Sequence, residues 1–322
     1  MAALDNPIFT DADKAREHLE SLRWPHGPLC PHCGNADPAR IKALTGRAHR
    51  KGVYQCNECR EQFTVTVGTV FERSKIPLNK WLLATHFMCA SKKGMSAHQL
   101  HRMLGVTYKT AWFMCHRIRE AMRPDRQSSG PLGGAGKIVE ADETYFGKTE
   151  TQPKLRRDGT PYLTKGKGGP AGKRAVFALV ERGGKVRSFH VDNANANTIR
   201  EALVTNASRE SRLFTDESRL YIKVGAEFGE HQTVRHVAKE YVRGVVHTNT
   251  IENVFSVFKR GMKGVYQHCA EKHLHRYLSE FDFRYNTRTA LKVTDVERRD
   301  LALQGIEGKR LTYRRAGEAA YA

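Results

Sequence analysis

The order of apolar segments predicts an α/β domain in the second half of this 322-residue chain. A strand at 137–142 is followed by a strand and hairpin partner at 175–191, a helix at 195–207, a strand at 212–215 and two amphipathic helices after 248. Two C-x2-C pairs predict a metal-stapled segment ahead of it. A helix–glycine–helix pattern between them predicts a third, helical region.

Residues 8–25 read as a short helix with Leu19 and Leu22 on one side, stopped at Pro25. The alternation Gln62-Phe-Thr-Val-Thr-Val predicts a strand over 62–67. Residues 78–122 are helical. Residues 124–136, rich in Gly, Ser and Pro, read as a linker. Ala175-Val-Phe-Ala-Leu-Val is a buried-type strand, and Gly183-Gly184 turns it into the next. The late helices carry Ile251, Val254, Phe255, Phe258 and Met262, then Leu274, Tyr277, Leu278, Phe281 and Tyr285, at helical spacing. The organisation is therefore an N-terminal helix and metal-binding segment at 1–75, a helical region at 76–123, the linker at 124–136, the α/β domain at 137–290 and a basic tail at 291–322.

A net charge of +20 and a pI near 9.8 draw the protein toward polyanions, nucleic acid first. An anionic membrane surface comes second, but no membrane partner is expected, because the chain shows no spanning run, basic amphipathic anchor or lipidation motif. The N-terminus lacks a signal peptide, so a cytoplasmic, nucleoid-associated protein is expected. Seven cysteines, four of them patterned, argue against a disulfide framework.

Cys30-Pro-His-Cys33 and Cys56-Asn-Glu-Cys59 stand 22 residues apart. Four thiolates suit tetrahedral zinc in a closed, structural site. Farther on, Ser96 and Gln99 have capping-box spacing, Leu100, Met103 and Leu104 are expected to face inward, and Gly105 makes a turn. Thr107 caps a second helix expected to expose Tyr108, Lys109, Thr110, Arg117 and Arg119 in part. Such a helix-turn-helix can enter a DNA major groove; the alternative is an ordinary helical hairpin.

Three acids carry the candidate chemistry. Asp142 ends the run Lys137-Ile-Val-Glu-Ala-Asp, Asp216 ends Arg212-Leu-Phe-Thr-Asp, and Glu252 lies early in an amphipathic helix. Strand ends are where open α/β sheets place ligands. Three carboxylates can hold two divalent ions, Mg²⁺ or Mn²⁺, for phosphodiester chemistry. Each acid also has a structural alternative: turn formation for Asp142 and Asp216, and a capping box from Asn249 for Glu252. Glu140 shares a strand face with Asp142 and is its rival, whereas the one rival to Asp216, Glu217, lies on the opposite strand face. Lys259, Arg260, Lys263 and His268 offer cations to DNA phosphates, or form a solvated face. His247 reads as a satisfied histidine or a phosphate contact. The stretch 147–172 carries Lys148, Lys154, Arg156, Arg157, Lys165 and Lys167 against Glu150 and Asp158, as a DNA clamp or a hairpin extension.

These stretches together resemble the zinc-ribbon class of bacterial insertion-sequence DDE transposases, the ISXO-like group. The resemblance rests on the two cysteine pairs, on Val139-Glu-Ala-Asp-Glu-Thr-Tyr-Phe-Gly, and above all on His247-Thr-Asn-Thr-Ile-Glu-Asn-Val-Phe-Ser-Val-Phe-Lys-Arg-Gly-Met-Lys-Gly-Val-Tyr, with Leu278-Ser-Glu-Phe-Asp-Phe-Arg-Tyr-Asn after it. It implies an RNase H-like catalytic domain behind a zinc ribbon and a helix-turn-helix. It implies metal-dependent cleavage at element ends and strand transfer, with the family's acids on Asp142, Asp216 and Glu252. Some members carry Asn at the third position; this chain has Glu. Partners implied are double-stranded DNA, as terminal inverted repeats and as target, and further copies of the chain on that DNA. A DNA-binding regulator, or a domesticated transposase without catalysis, is the alternative in another class.

Overall fold

The computed structural model describes residues 5–124, 130–149, 154–162 and 172–312. They form two compact units. One comprises the described residues of 1–123 and 292–322, and the other those of 124–291.

In the first unit, α1 (Ala12–Arg23) starts at Asp11, whose carboxylate accepts from the backbone N–H of Asp13 and Lys14. Strands β1 (Ile41–Ala43), β2 (Tyr54–Cys56) and β3 (Gln62–Phe63) form an antiparallel sheet in that order. The strand predicted over 62–67 thus stops at Phe63. Beyond it the chain turns, with Val67 N–H bonded to the Thr64 carbonyl. The Trp24 ring meets Tyr54 and Phe63 edge-on at 5.5 and 5.8 Å, which supplies much of the small apolar centre here. Three helices follow: α2 (Leu78–Ala90), α3 (Ala97–Leu104) and α4 (Tyr108–Met122).

The second unit is built on a five-stranded sheet. β4 (Ile138–Phe146) is its centre. A short hairpin, β5 (Lys154–Leu155) with β6 (Pro161–Tyr162), follows in sequence, then β7 (Arg174–Glu181), β8 (Val186–Val191), α5 (Ala196–Asn206), β9 (Arg212–Asp216), α6 (Ile222–Gly225) and β10 (Glu230–Val234). The sheet order is β10-β9-β4-β7-β8. β4, β7 and β8 are antiparallel neighbours, while β9 and β10 run parallel to β4. A small hairpin, β11 (Val242–Arg243) and β12 (Val246–His247), leads into α7 (Asn249–Gly261), and α8 (Leu274–Asn286) ends the unit. An antiparallel three-strand meander continued by two parallel strands is the RNase H-like arrangement expected from the sequence.

Alternation along the strands separates two cores. Val139, Ala141, Phe177, Leu179 and Leu213 pack on one face against Ile199 and Leu203 of α5. Val176, Ala178 and Val180 pack on the other against α7 and α8, through residues such as Ile251, Phe255, Phe258 and Leu278. Phe177 has no exposed surface. Phe177→Ala is therefore expected to cost about 3–5 kcal/mol of unfolding free energy, read by urea denaturation. A loss below 1 kcal/mol would contradict this core.

Two parts of the chain differ from the sequence reading. Within the stretch read as a linker, Leu132 is buried in the second unit's core and its N–H bonds to the Asn206 carbonyl. The stretch read as a basic tail contributes α9 (Asp295–Gln304) to the first unit, where it packs on α2. Ala302, Leu303 and Ile306 are buried there, and Arg298 donates to Asp295 at 2.6 Å and to the Cys89 carbonyl. The abundance of charge hid that short apolar stripe. Of the 147–172 stretch, 147–149, 154–162 and 172 are described, with the Arg156 guanidinium 5.6 Å from the centre of the Tyr162 ring. Lys165 and Lys167 lie outside the described residues.

Candidate functional site

The four patterned cysteines converge. Cys30 and Cys33 lie before β1, Cys56 ends β2 and Cys59 lies in the turn to β3. Their sulfurs all lie within 4.8 Å of one another, and the pairs Cys30–Cys59 and Cys33–Cys56 are each 3.7 Å apart. A tetrahedron of thiolates about 2.3 Å from zinc has edges of about 3.8 Å, so the arrangement fits that ion. Backbone N–H groups of Cys59 and Glu58, with the Asn35 amide, lower the Cys56 thiol to about 6, whereas, against the backbone N–H groups of Asn35 and Glu61, burial and the sulfurs beside them raise Cys33 and Cys59, so the four thiols do not all reach the ligating form unaided.

Asp142 and Asp216 occupy matching steps on neighbouring parallel strands. The β4–β9 pairing runs from Ile138–Arg212 to Glu140–Phe214 and stops. Each aspartate stands two residues beyond that last pair, where the strands part. Asp142 is opposite Ala178 of β7, and Asp216 opposite Val234 of β10. β4 itself continues to Phe146 because β7 pairs with it that far. Asp142 thus marks the end of the pairing with β9, rather than the end of its strand as the sequence suggested.

Glu252 reaches the same region from the first turn of α7. The structural alternative for Glu252, a capping box from Asn249, does not form, since Asn249 is itself helical and the N-cap is Thr248. The Thr248 hydroxyl donates to Glu252 Oε1 at 2.9 Å. Glu140, the rival to Asp142, supplies the cap instead. Its Oε2 accepts from the N–H groups of Thr250 and Ile251 at 2.9 and 3.0 Å. Glu217, the rival to Asp216, accepts from Val237 N–H.

Asp142 and Glu252 line a cleft of about 770 Å³, together with Glu143, His236, Lys259, Arg260 and Lys263. Asp216 is not on its wall but acts on Asp142 through its charge. Burial, then the negative charges of Asp216 and Glu143, push Asp142 up to about 8; Glu252 adds to this, and the Glu143 N–H opposes it. Among the described residues the three acids are not drawn as close together as the cysteine sulfurs. Carboxylate oxygens are the donors that hard divalent cations take. Burial also raises Glu143, whose carboxylate accepts from the Tyr221 hydroxyl.

Two residues here carried no clear signal in the sequence. His236 Nε2 is 3.7 Å from Glu252 Oε1, and Thr248 steadies that carboxylate. His247 is held structurally, its Nδ1 3.2 Å from Arg182 Nη2 and its carbonyl accepting from the same nitrogen. Lys259, Arg260 and Lys263 descend from Glu252 along α7 and the π-turn Met262–Tyr266, and His268 is exposed beyond it.

The helix–glycine–helix segment forms as expected. Ser96 Oγ accepts from Gln99 N–H, Gly105 adopts φ +60°, and Thr107 Oγ1 accepts from Thr110 N–H. Leu100 and Leu104 are buried, but Met103 is 47% exposed, contrary to expectation. Tyr108 and Lys109 are exposed, and the Tyr108 ring stacks on His98 at 4.1 Å. Arg117 and Arg119 do not join that surface. Arg117 donates to the carbonyls of Glu72 and Leu311, and Arg119 is buried. α4 packs on several sides, so its arginines serve the interior through their long stems.

Residues 131–286 match the family described as the ISXO2-like transposase domain, and residues 10–62 match the transposase zinc-ribbon domain. A protein of Halobacterium salinarum described as an uncharacterized protein in transposable element ISH50 is 31% identical over 287 residues, 86% of this chain and 91% of that one. Among solved structures, the Mos1 strand transfer complex is 9% identical, with a TM-score of 0.20 over 60% of this chain and 72% of that chain. The mariner Mos1 paired end complex with Mg is 12% identical, with a TM-score of 0.24 over 75% and 82%. Likenesses that loose bear on neither fold nor function. No helix among the described residues is long and apolar enough to cross a membrane. The zinc-ribbon match falls on the segment that gathers the four cysteines, the transposase-domain match falls on the sheet that carries the acids, and nearly the whole chain aligns with a transposable-element protein; the chain belongs to the ISXO2-like transposase family.

Proposed function

We propose that the second unit cleaves DNA at the ends of an insertion sequence and transfers the freed strand into target DNA, with Asp142, Asp216 and Glu252 as the cation-holding triad. The observation that carries this reading is the placement of Asp142 and Asp216 at equal steps past the last β4–β9 pair, with Glu252 on the same cleft as Asp142. Two divalent ions, Mg²⁺ or Mn²⁺, supply Lewis-acid activation of the attacking oxygen and charge stabilisation of the leaving one. Asp142 and Asp216 present carboxylates from the sheet, and Glu252 presents its own from α7. Lys259, Arg260 and Lys263 bind backbone phosphates along the cleft. In the first step a water oxygen bonds to phosphorus, the bond to the 3′ oxygen breaks, and that oxygen takes a proton. In the second, the 3′-hydroxyl attacks a target phosphodiester, gives up its proton, and displaces the target's own 3′ oxygen. Tyr108 and Lys109 on the exposed start of α4 give the first unit a DNA contact of its own, with terminal inverted repeats as the natural ligand. Two ends must meet for transposition, so the working form is an assembly of copies on DNA.

The test uses a duplex carrying the element's terminal repeat, with Mg²⁺ or Mn²⁺. The wild-type protein is expected to nick the repeat end and to form joined products. Asp216→Asn is expected to abolish both while retaining binding in a gel-shift assay. Binding without nicking by the wild-type protein would mark a DNA-binding regulator instead.

A further inference from the structure

Glu140 is an ionisable side chain with no exposed surface, two residues from Asp142 on the same strand face. Buried carboxylates are costly unless several donors meet them. Five do. Thr250 N–H and Ile251 N–H reach Oε2. The Thr250 hydroxyl reaches Oε1 at 2.8 Å, as do Arg182 Nε and Nη2 at 2.9 and 2.6 Å.

The two backbone donors are those that a helix's own N-cap side chain ordinarily satisfies. Thr248 holds the N-cap position and makes no side-chain cap. Its hydroxyl is spent on Glu252 Oε1. The carboxylate on β4 therefore does the capping, and its charge matches the positive end of the helix. Arg182 adds a second tie. Besides pairing with Glu140, it donates to the carbonyls of Val245 and His247, in the segment that delivers α7.

We infer that Glu140 is a positioning residue that fixes the start of α7 against β4 and so sets the placement of Glu252 relative to Asp142. One strand then carries both a cation-holding carboxylate and the clamp for its partner. A shift of Glu252 alters cation binding before it alters DNA binding, because the cations of α7 lie farther along the helix. The inference rests on the triad reading above.

The test compares Glu140→Gln, which keeps the shape but loses the charge, with Thr248→Val, which removes only the hydroxyl that holds Glu252. Cleavage of terminal-repeat DNA is titrated with Mn²⁺, and Mn²⁺ binding is measured separately by calorimetry. Both variants are expected to bind DNA as the wild type does and to need roughly 10–100-fold more Mn²⁺ for half-maximal cleavage, the scale of a lost supporting contact at a metal site. Excess Mn²⁺ is expected to restore part of the rate, which a general loss of folding would not allow. Wild-type Mn²⁺ dependence in a folded Glu140→Gln protein overturns the inference. If Glu140→Gln does not fold, wild-type dependence in Thr248→Val overturns it. A wild-type protein that neither cleaves nor binds Mn²⁺ defeats the triad reading itself, and the positioning role falls with it.

Discussion

Asp142→Asn is expected to stop strand cleavage and, without divalent cations, to make the protein more stable. The two effects share one cause. Asp142 is buried beside Asp216 and Glu143, and its pKa rises from 3.8 to about 8. A carboxyl whose folded pKa lies above its unfolded value destabilises the fold as pH rises through that window. Below pH 4 the group is protonated in both states and costs nothing. Between pH 4 and 8 the unfolded chain loses its proton and the folded protein holds it, so stability falls. Above pH 8 the cost is constant, on the order of a few kcal/mol at about 1.4 kcal/mol per unit. Asparagine does not titrate, so the variant's advantage should be negligible at pH 4 and fully developed by pH 8. Divalent cations should reverse the order by stabilising only the wild type. Cleavage should fall by roughly 10²–10³-fold or more, the scale for removing one preorganised electrostatic partner of a transition state. Urea melts at pH 4 and pH 8, with and without Mg²⁺, together with a cleavage assay, read all of this. A variant less stable than wild type at pH 8 in chelator would contradict the strained-cluster account.

How much of this was legible in the sequence depended on the reach of each signal. The cysteine pairs were readable because ligand spacing is local and the chemistry allows few alternatives. Apolar periodicity located α7 and α8 and the central strands, since each buries a whole face. The edge strand β10 (Glu-His-Gln-Thr-Val) escaped, because only Val234 among its five residues is buried. Asp142 and Asp216 could be picked out singly, but their equal step past the last β4–β9 pair is a matter of register between distant strands. The same limit applies to Glu140. Its place on the Asp142 face was visible, whereas its use as the cap of a helix more than a hundred residues later needed the tertiary structure. Arg117 erred in the opposite direction: a cation on an expected recognition helix proved to be bonded to two backbone carbonyls.

Stripping metal from the first unit is expected to unfold the segment around the four cysteines and leave the second unit's sheet intact. Strands of three, three and two residues cannot hold a sheet by their own pairing. The apolar support is small, and the chain between Cys33 and Cys56 includes long exposed stretches. Much of the free energy that closes these loops must therefore come from the ion, and structural zinc supplies about 10–16 kcal/mol in small isolated domains. The second unit has its own cores on both faces of five strands, so nothing in its sheet waits on the metal. One zinc per chain is the expected stoichiometry by elemental analysis. Chelation, or Cys56→Ser, should open the stretch between the cysteine pairs to proteolysis while 172–291 stays protected. A ribbon that stays protease-resistant after complete removal of metal would mean that the four sulfurs are packing groups and that aromatic contacts around Trp24 suffice.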